Sequence, residues 1–111
     1  MDQNTILESI KSQITDNDIV LYMKGTKEMP QCGFSSGMSR LLTELRLNYI
    51  AINVLENPEL RDGIKAFSDW PTIPQLYIKG EFLGGYDIVR EAYAAGELES
   101  LLKDKGLLPQ S

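Results

Sequence analysis

Apolar positions along this chain fall into blocks whose period switches between that of a helix and that of a buried strand. Ile6, Leu7, Ile10 and Ile14 recur at helical spacing, and Thr5 followed by Glu8 has the form of a capping box that opens the helix. Asp16-Asn17-Asp18 ends it. Ile19-Val20-Leu21-Tyr22-Met23 is an unbroken apolar run, the pattern of a strand buried on both faces. Gly25 to Gln31 is a polar loop containing Pro30, and Cys32 follows it. From Gly33 onward, Met38, Leu41, Leu42 and Leu45 mark a second amphipathic helix, and Tyr49 to Val54 reads as a second strand. This strand-helix-strand unit predicts a parallel pair joined by a right-handed crossover.

Asn57-Pro58 places a capping residue before a proline at the first helical position, which predicts a third helix through Ser68. Leu60, Ile64 and Phe67 form its apolar stripe. Trp70-Pro71-Thr72-Ile73-Pro74 cannot be helical, because its prolines force extended or turn geometry. Gln75 to Ile78, Lys79-Gly80 and Glu81 to Leu83 together predict a β-hairpin. Gly84-Gly85 closes it, and Asp87 is the expected N-cap of a helix carrying Ile88, Val89 and Ala92. Gly96 interrupts, and Leu98, Leu101 and Leu102 lie on a last helix. The order α-β-α-β-α-β-β-α-α predicts an α/β domain with a helix-covered mixed sheet. There is no internal repeat and no break in composition, so residues 1–111 are expected to form one domain.

Two absences narrow the chemistry. The chain has no histidine, which removes Ser-His-Asp triads, histidine acid-base catalysis and histidine metal ligation together. It has one cysteine, so it holds neither an intrachain disulfide nor a zinc ribbon. The formal net charge of −5 argues against a nucleic-acid binder that tracks phosphates. No apolar run is long enough for a bilayer, and Met1-Asp2-Gln3-Asn4 lacks the basic and apolar regions of a secretion signal. A lone unpaired thiol fits a reducing compartment, so the cytoplasm is expected.

Cys32 falls where a loop meets the start of a helix. Unpaired backbone N–H groups and the helix dipole there favour an anion, which lowers the thiol pKa. Lys24, at the end of the preceding strand, is a candidate cationic neighbour. A lone cysteine is usually a small buried hydrophobe. Its position between Pro30 and Gly33, outside any apolar periodicity, favours the reactive reading. Phe34 either flanks the thiol or enters the core. Trp70 is expected to shape a wall rather than touch a ligand, and the tyrosines at 22, 49, 77 and 93 to pack.

Cys32-Gly33-Phe34-Ser35, taken with Lys24-Gly25, Pro30, Trp70-Pro71-Thr72-Ile73-Pro74 and Gly84-Gly85-Tyr86-Asp87, resembles the single-domain monothiol (CGFS-type) glutaredoxins. The resemblance spans about residues 5–103, with the motifs in family order. It implies a thioredoxin-like fold, a four-stranded mixed sheet flanked by about five helices, with a glutathione groove beside Cys32. In that groove Lys24 and Arg61 would hold the glycine carboxylate of glutathione. The backbone of Ile73, before a cis proline at Pro74, would pair with the peptide like an added strand. The helix N-terminus at Gly85, Tyr86 and Asp87 would receive the γ-glutamyl end, and Phe34 would lie beside the thiol. These roles suit an anionic extended tripeptide, which needs cations, a free backbone edge and helix N–H groups.

Many members of the family carry a second cysteine where this chain has Tyr86, and Ser35 stands where a dithiol box has its second cysteine. Neither residue can displace a disulfide. A [2Fe-2S] cluster takes four soft ligands, and one protomer offers one. Two Cys32 thiolates and two glutathione sulfurs complete the set, and the family is known for this glutathione-bridged homodimer. The resemblance therefore implies a cluster carrier, with a BolA-like protein and apo iron–sulfur acceptors as partners. The alternative it implies is a glutathione-dependent oxidoreductase acting on mixed disulfides through Cys32. The family associates a long loop like Gly25 to Gln31 with weak activity of that kind. A third reading, an interaction module with a vestigial cysteine, fits poorly with a retained groove.

Overall fold

All five residues of Ile19–Met23 are buried, as an apolar run flanked by strands on both edges and helices on both faces must be. In the computed structural model, which describes residues 3–109, this run is the central strand β1. Strand β2 (Ile50–Asn53) pairs with it in parallel, Val20 opposite Ile50. Strand β3 (Gln75–Ile78) pairs with its other edge antiparallel, Val20 opposite Tyr77. Strand β4 (Glu81–Gly84) returns beside β3 after the Lys79-Gly80 turn, so the sheet order is β2-β1-β3-β4. The described residues also form five α-helices: α1 (Gln3–Asp16), α2 (Gly33–Glu44), α3 (Pro58–Ser68), α4 (Tyr86–Ala94) and α5 (Glu97–Asp104). None of the described helices is long and apolar enough to cross a membrane.

The period-two geometry of β1 divides the core. Ile19, Leu21 and Met23 point into one layer with Met38 and Leu42 of α2, Val89 of α4, and Leu98 and Leu102 of α5. Val20 and Tyr22 point into the other, against Ile6, Ile10 and Ile14 of α1 and Leu60 and Ile64 of α3. Tyr22 is buried there with its hydroxyl donating to Gln13 Oε1 at 2.6 Å. Burial, reinforced by the neighbouring Tyr77, pushes the Tyr22 phenol well above its ordinary range, so it remains a neutral donor.

Several element ends differ from the sequence pattern, and β4 runs one residue further, to Gly84. Helix α1 begins at Gln3, so Thr5 lies inside its first turn and is not its cap. A Thr-x-x-Glu spacing marks a helix start only where the preceding chain resists helix, and Gln3-Asn4 contains no breaker. Strand β2 is shorter than Tyr49 to Val54, because Asn53 Oδ1 accepts from the Leu55 N–H at 3.0 Å and turns the chain into a 3-10 helix, Val54–Glu56. Helix α4 begins at Tyr86 with the extended Gly85 as its N-cap, which leaves Asp87 in the first turn. Its carboxylate still meets the positive end of the helix dipole there. The Asn57 cap stands as expected, its side chain accepting from the Leu60 N–H at 3.1 Å.

Helices α1 and α3 approach closely at Gly63, where a methyl group would run into Ile6 Cγ2. Gly63→Ala gains about 1 kcal/mol of intrinsic helix propensity but overpacks that contact, at a cost of about 1–3 kcal/mol. The expected net result is a lower urea midpoint with an unchanged slope.

Candidate functional site

The site grows from the carboxyl end of β1. Lys24 follows the strand, and its carbonyl accepts from the Gln31 N–H at 2.8 Å, which closes the intervening loop on itself. Within that loop Gly25 and Pro30 form a bridge, and the Thr26 N–H donates to Met29 O at 3.2 Å. Asn53 Oδ1, at the carboxyl end of β2, accepts from the Gly25 N–H at 2.9 Å. The polar stretch read from the sequence is therefore a folded tongue tied to two strand ends, and it delivers Cys32 to the first turn of α2.

Cys32 is the N-cap residue of α2, with extended backbone at φ −151° and ψ 139°. It is partly exposed and unbridged. Partial desolvation opposes its ionisation, but hydrogen bonds from the Ser35 and Phe34 N–H groups and from the Ser35 hydroxyl, with the Lys24 charge, outweigh it. The thiol pKa is held below its ordinary value. Ser35 is fully buried, and its Oγ also accepts from the Lys24 N–H at 3.0 Å. One hydroxyl thus joins β1 to α2 and serves the thiolate.

The thiol opens onto a groove of about 460 Å³. Lys24, Cys32, Phe34, Ile73, Pro74, Tyr86 and Asp87, all singled out from the sequence, line it together. Phe34 is 58% exposed, with its ring 6.0 Å from that of Tyr86, so it flanks the thiol and stays out of the core. Gly85 is buried at the foot of α4 and does not line the groove. Arg61 does not line it either: its Nε is buried without a hydrogen bond, 3.7 Å from Asp62 Oδ1. Lys65 lines the groove instead, one turn after Arg61 on α3. The i,i+4 spacing was the available signal for Lys65, because residues so spaced share a helix face.

Gln75 was also missed. It is fully buried, and its Nε2 donates to Trp70 O at 3.3 Å and Thr72 O at 3.2 Å. Its Oε1 accepts from the Tyr77 hydroxyl at 3.2 Å. This amide braces the Trp70–Pro74 wall from inside, beside the Trp70 N–H bonds to Lys65 O at 3.2 Å and Ser68 Oγ at 3.1 Å, and the Ile73–Pro74 peptide of the wall is cis. Trp70 stacks outside the lining, 5.9 Å from the Phe82 ring. A buried glutamine beside a proline carries no periodic signal, so only the fold reveals its function.

The glutaredoxin family pattern matches residues 19–83, from the first residue of β1 to β4. The chain belongs to the glutaredoxin family. Among its relatives, "Probable monothiol glutaredoxin 2" of Rickettsia typhi is 53% identical over 105 residues, covering 95% of each chain. "Monothiol glutaredoxin-S15, mitochondrial" of Arabidopsis thaliana is 45% identical, covering 91% of this chain and 60% of that one. In three dimensions, a monomeric truncated mutant of Trypanosoma brucei 1-C-Grx1 superposes with a TM-score of 0.81 at 41% identity, covering 100% of this chain and 97% of that one. The fold is thioredoxin-like, and the single cysteine agrees with the monothiol names of these relatives of the glutaredoxin chain.

Hydrogen bonds that favour the thiolate must, when removed, raise the thiol pKa. For Ser35→Ala the pH midpoint of Cys32 alkylation by iodoacetamide is expected to rise. The same change leaves the Lys24 N–H without its acceptor and should cost about 1–3 kcal/mol of stability. Together, the alkylation profile and a denaturant titration check both effects of the one hydroxyl.

Proposed function

We propose that this glutaredoxin binds glutathione in the groove beside Cys32 and, as a glutathione-bridged homodimer, carries a [2Fe-2S] cluster to acceptor proteins. The observation that carries the reading is a thiolate-favouring Cys32 opening onto a groove that Lys24 and Lys65 make locally cationic. Glutathione is a dicarboxylate, and each lysine suits a carboxylate. Lys24 would take the glycine end, with Arg61 as its expected partner from outside the present lining. The Ile73 backbone before Pro74 offers the peptide an extended partner. The N–H groups at the start of α4, between Gly85 and Asp87, suit the γ-glutamyl carboxylate, and Asp87 suits its amine.

Among the described residues no three His, Cys, Asp or Glu side chains converge on a metal position. A cluster cargo therefore needs sulfur from outside the chain, and four ligands arise from two protomers and two glutathiones. Two of the four would be non-covalently held small molecules, which favours handing the cluster over. Partners of this activity are a BolA-like protein and apo iron–sulfur acceptors, with no nucleic acid and no membrane in the scheme. A reducing compartment such as the cytoplasm keeps the thiol available. The Arabidopsis relative is named as mitochondrial, so fractionation of the native host decides the compartment.

The lowered thiol pKa supports a second reading, glutathione-dependent reduction of mixed disulfides. The Cys32 thiolate attacks the glutathione sulfur of a protein–glutathione disulfide, forms a Cys32–glutathione bond and releases the protein thiolate. A second glutathione thiolate then attacks, releasing glutathione disulfide and regenerating Cys32. Ser35 cannot replace that second glutathione, so turnover depends on the free tripeptide.

Anaerobic reconstitution with iron, sulfide and glutathione tests the two readings together. The expected product is a coloured dimer with about two irons and two glutathiones, lost in Cys32→Ser and on glutathione removal. A colourless monomer, active as a mixed-disulfide reductase, would leave the second reading in its place. Lys24→Ala and Arg61→Ala should each weaken glutathione binding on the order of tenfold, measured by calorimetry with S-methylglutathione. Unchanged affinity in both would remove their assignment to the glycine carboxylate.

A further inference from the structure

The groove contains one arrangement that depends on two residues far apart in sequence. Tyr86, the first residue of α4, lies against Gly37 in the second turn of α2. A methyl group on Gly37 would sit 2.7 Å from Tyr86 Cε1 and Cζ and 2.8 Å from its hydroxyl oxygen. No side chain fits there while the ring stays in place. Two more neighbours stand beside the ring, Phe34 at 6.0 Å between centroids and the Arg90 guanidinium at 5.7 Å, one turn along α4, and the ring packs against the core layer under α2 and α4. Tyr86 shares the groove lining with Cys32 and Phe34, while Thr72, Ile73 and Pro74 line it from the Trp70–Pro74 segment.

We propose that Gly37 and Tyr86 are a matched pair that sets the specificity of the groove. The glycine vacates the space the ring occupies, and the seated ring selects a slim, extended thiol peptide as the partner of Cys32. This rests on the glutathione reading and adds the residue that enforces it. The ring is restrained by packing before any ligand arrives, so docking orders little more of the protein. Its apolar face suits the cysteinyl methylene of glutathione, and its bulk opposes a branched or bulky substituent next to the thiol. Where a short side chain stood at position 86, this part of the groove would be wider and Gly37 would serve no purpose.

The test compares exchange of Cys32 with two disulfides, read by mass at equilibrium. In each, the thiolate attacks one sulfur of R–S–S–R, one S–S bond breaks, one forms to Cys32, and R–S⁻ leaves. Glutathione disulfide uses the groove, whereas hydroxyethyl disulfide offers no peptide and reports the thiol alone. Wild type should favour the glutathione adduct over the hydroxyethyl adduct. Tyr86→Ala and Gly37→Ala should each reduce that preference, read as the ratio of the two adducts, about tenfold, and Tyr86→Phe should keep it. Adding Gly37→Ala to Tyr86→Ala should cause no further loss, because no ring remains to be displaced.

A Gly37→Ala loss of equal size in both backgrounds would overturn the pairing. Preference retained in Tyr86→Ala would overturn the role of the ring. Absence of any preference in wild type would instead overturn the glutathione reading beneath it. Should Gly37→Ala fail to fold, Tyr86→Ala against Tyr86→Phe decides the role of the ring, and folding restored in the double variant would support the pairing.

Discussion

The Ser35 hydroxyl is the point on which this site depends. It accepts from the Lys24 N–H, where β1 ends, and donates to the Cys32 thiolate, where α2 begins. Because Ser35 is fully buried, water cannot substitute for either bond. The strand end, the helix start and the charge state of the thiol are therefore one local problem with one solution. The tongue of residues 25–31 can vary in surface detail so long as its closing bond from Gln31 to Lys24 brings Cys32 back to that hydroxyl. A cysteine at position 35 would be wider and a poorer acceptor, so serine suits this joint and supplies no resolving nucleophile.

The sheet explains why the joint is at that end. In open α/β sheets the space outside the carboxyl ends of the parallel strands is free of crossing chain, and ligands collect there. Here β1 and β2 run in parallel, and their carboxyl ends supply Lys24 and Asn53. Asn53 uses one oxygen twice, on the Gly25 and Leu55 N–H groups, so the end of β2 positions the tongue that carries the thiol. The antiparallel strand β3 begins right after the Trp70–Pro74 wall, and Gln75, its first residue, pins that wall from inside. Three strand ends thus converge on one groove without any of them contributing the nucleophile.

Much of this was legible in the chain. The apolar run at 19–23 has the pattern of a buried strand and is one, and the Asn57-Pro58 cap marks the start of α3 to the residue. Seven residues taken from the family resemblance also line one groove in the structure. What was not legible depended on packing across elements. Asp87 has the chemistry of a cap, but the extended Gly85 before Tyr86 starts the helix earlier, and a glycine cap offers no side-chain signature. Arg61 and Lys65 share a helix face, and which of them reaches the groove is set by how α3 seats Leu60 and Ile64 under the sheet. Gln75 and Gly37 are ordinary letters in the sequence, and their importance appears only when Trp70, Thr72 and Tyr86 are seen beside them.

Net charge is the last point at which global and local readings separate. The chain carries −5 overall, which opposes polyanions such as nucleic acid. At the groove the acidic excess disappears: Lys24 and Lys65 face Asp87 and, when ionised, the Cys32 thiolate. At physiological salt a field is screened beyond about 8 Å, so a small anion inside the groove responds to these nearby groups more than to the acidic surface beyond them. A long polyanion would have to lie across the acidic surface as well. The charge pattern thus suits a small anion in the groove better than a long polyanion across the surface, and it depends on where the lysines are placed and not on how many there are.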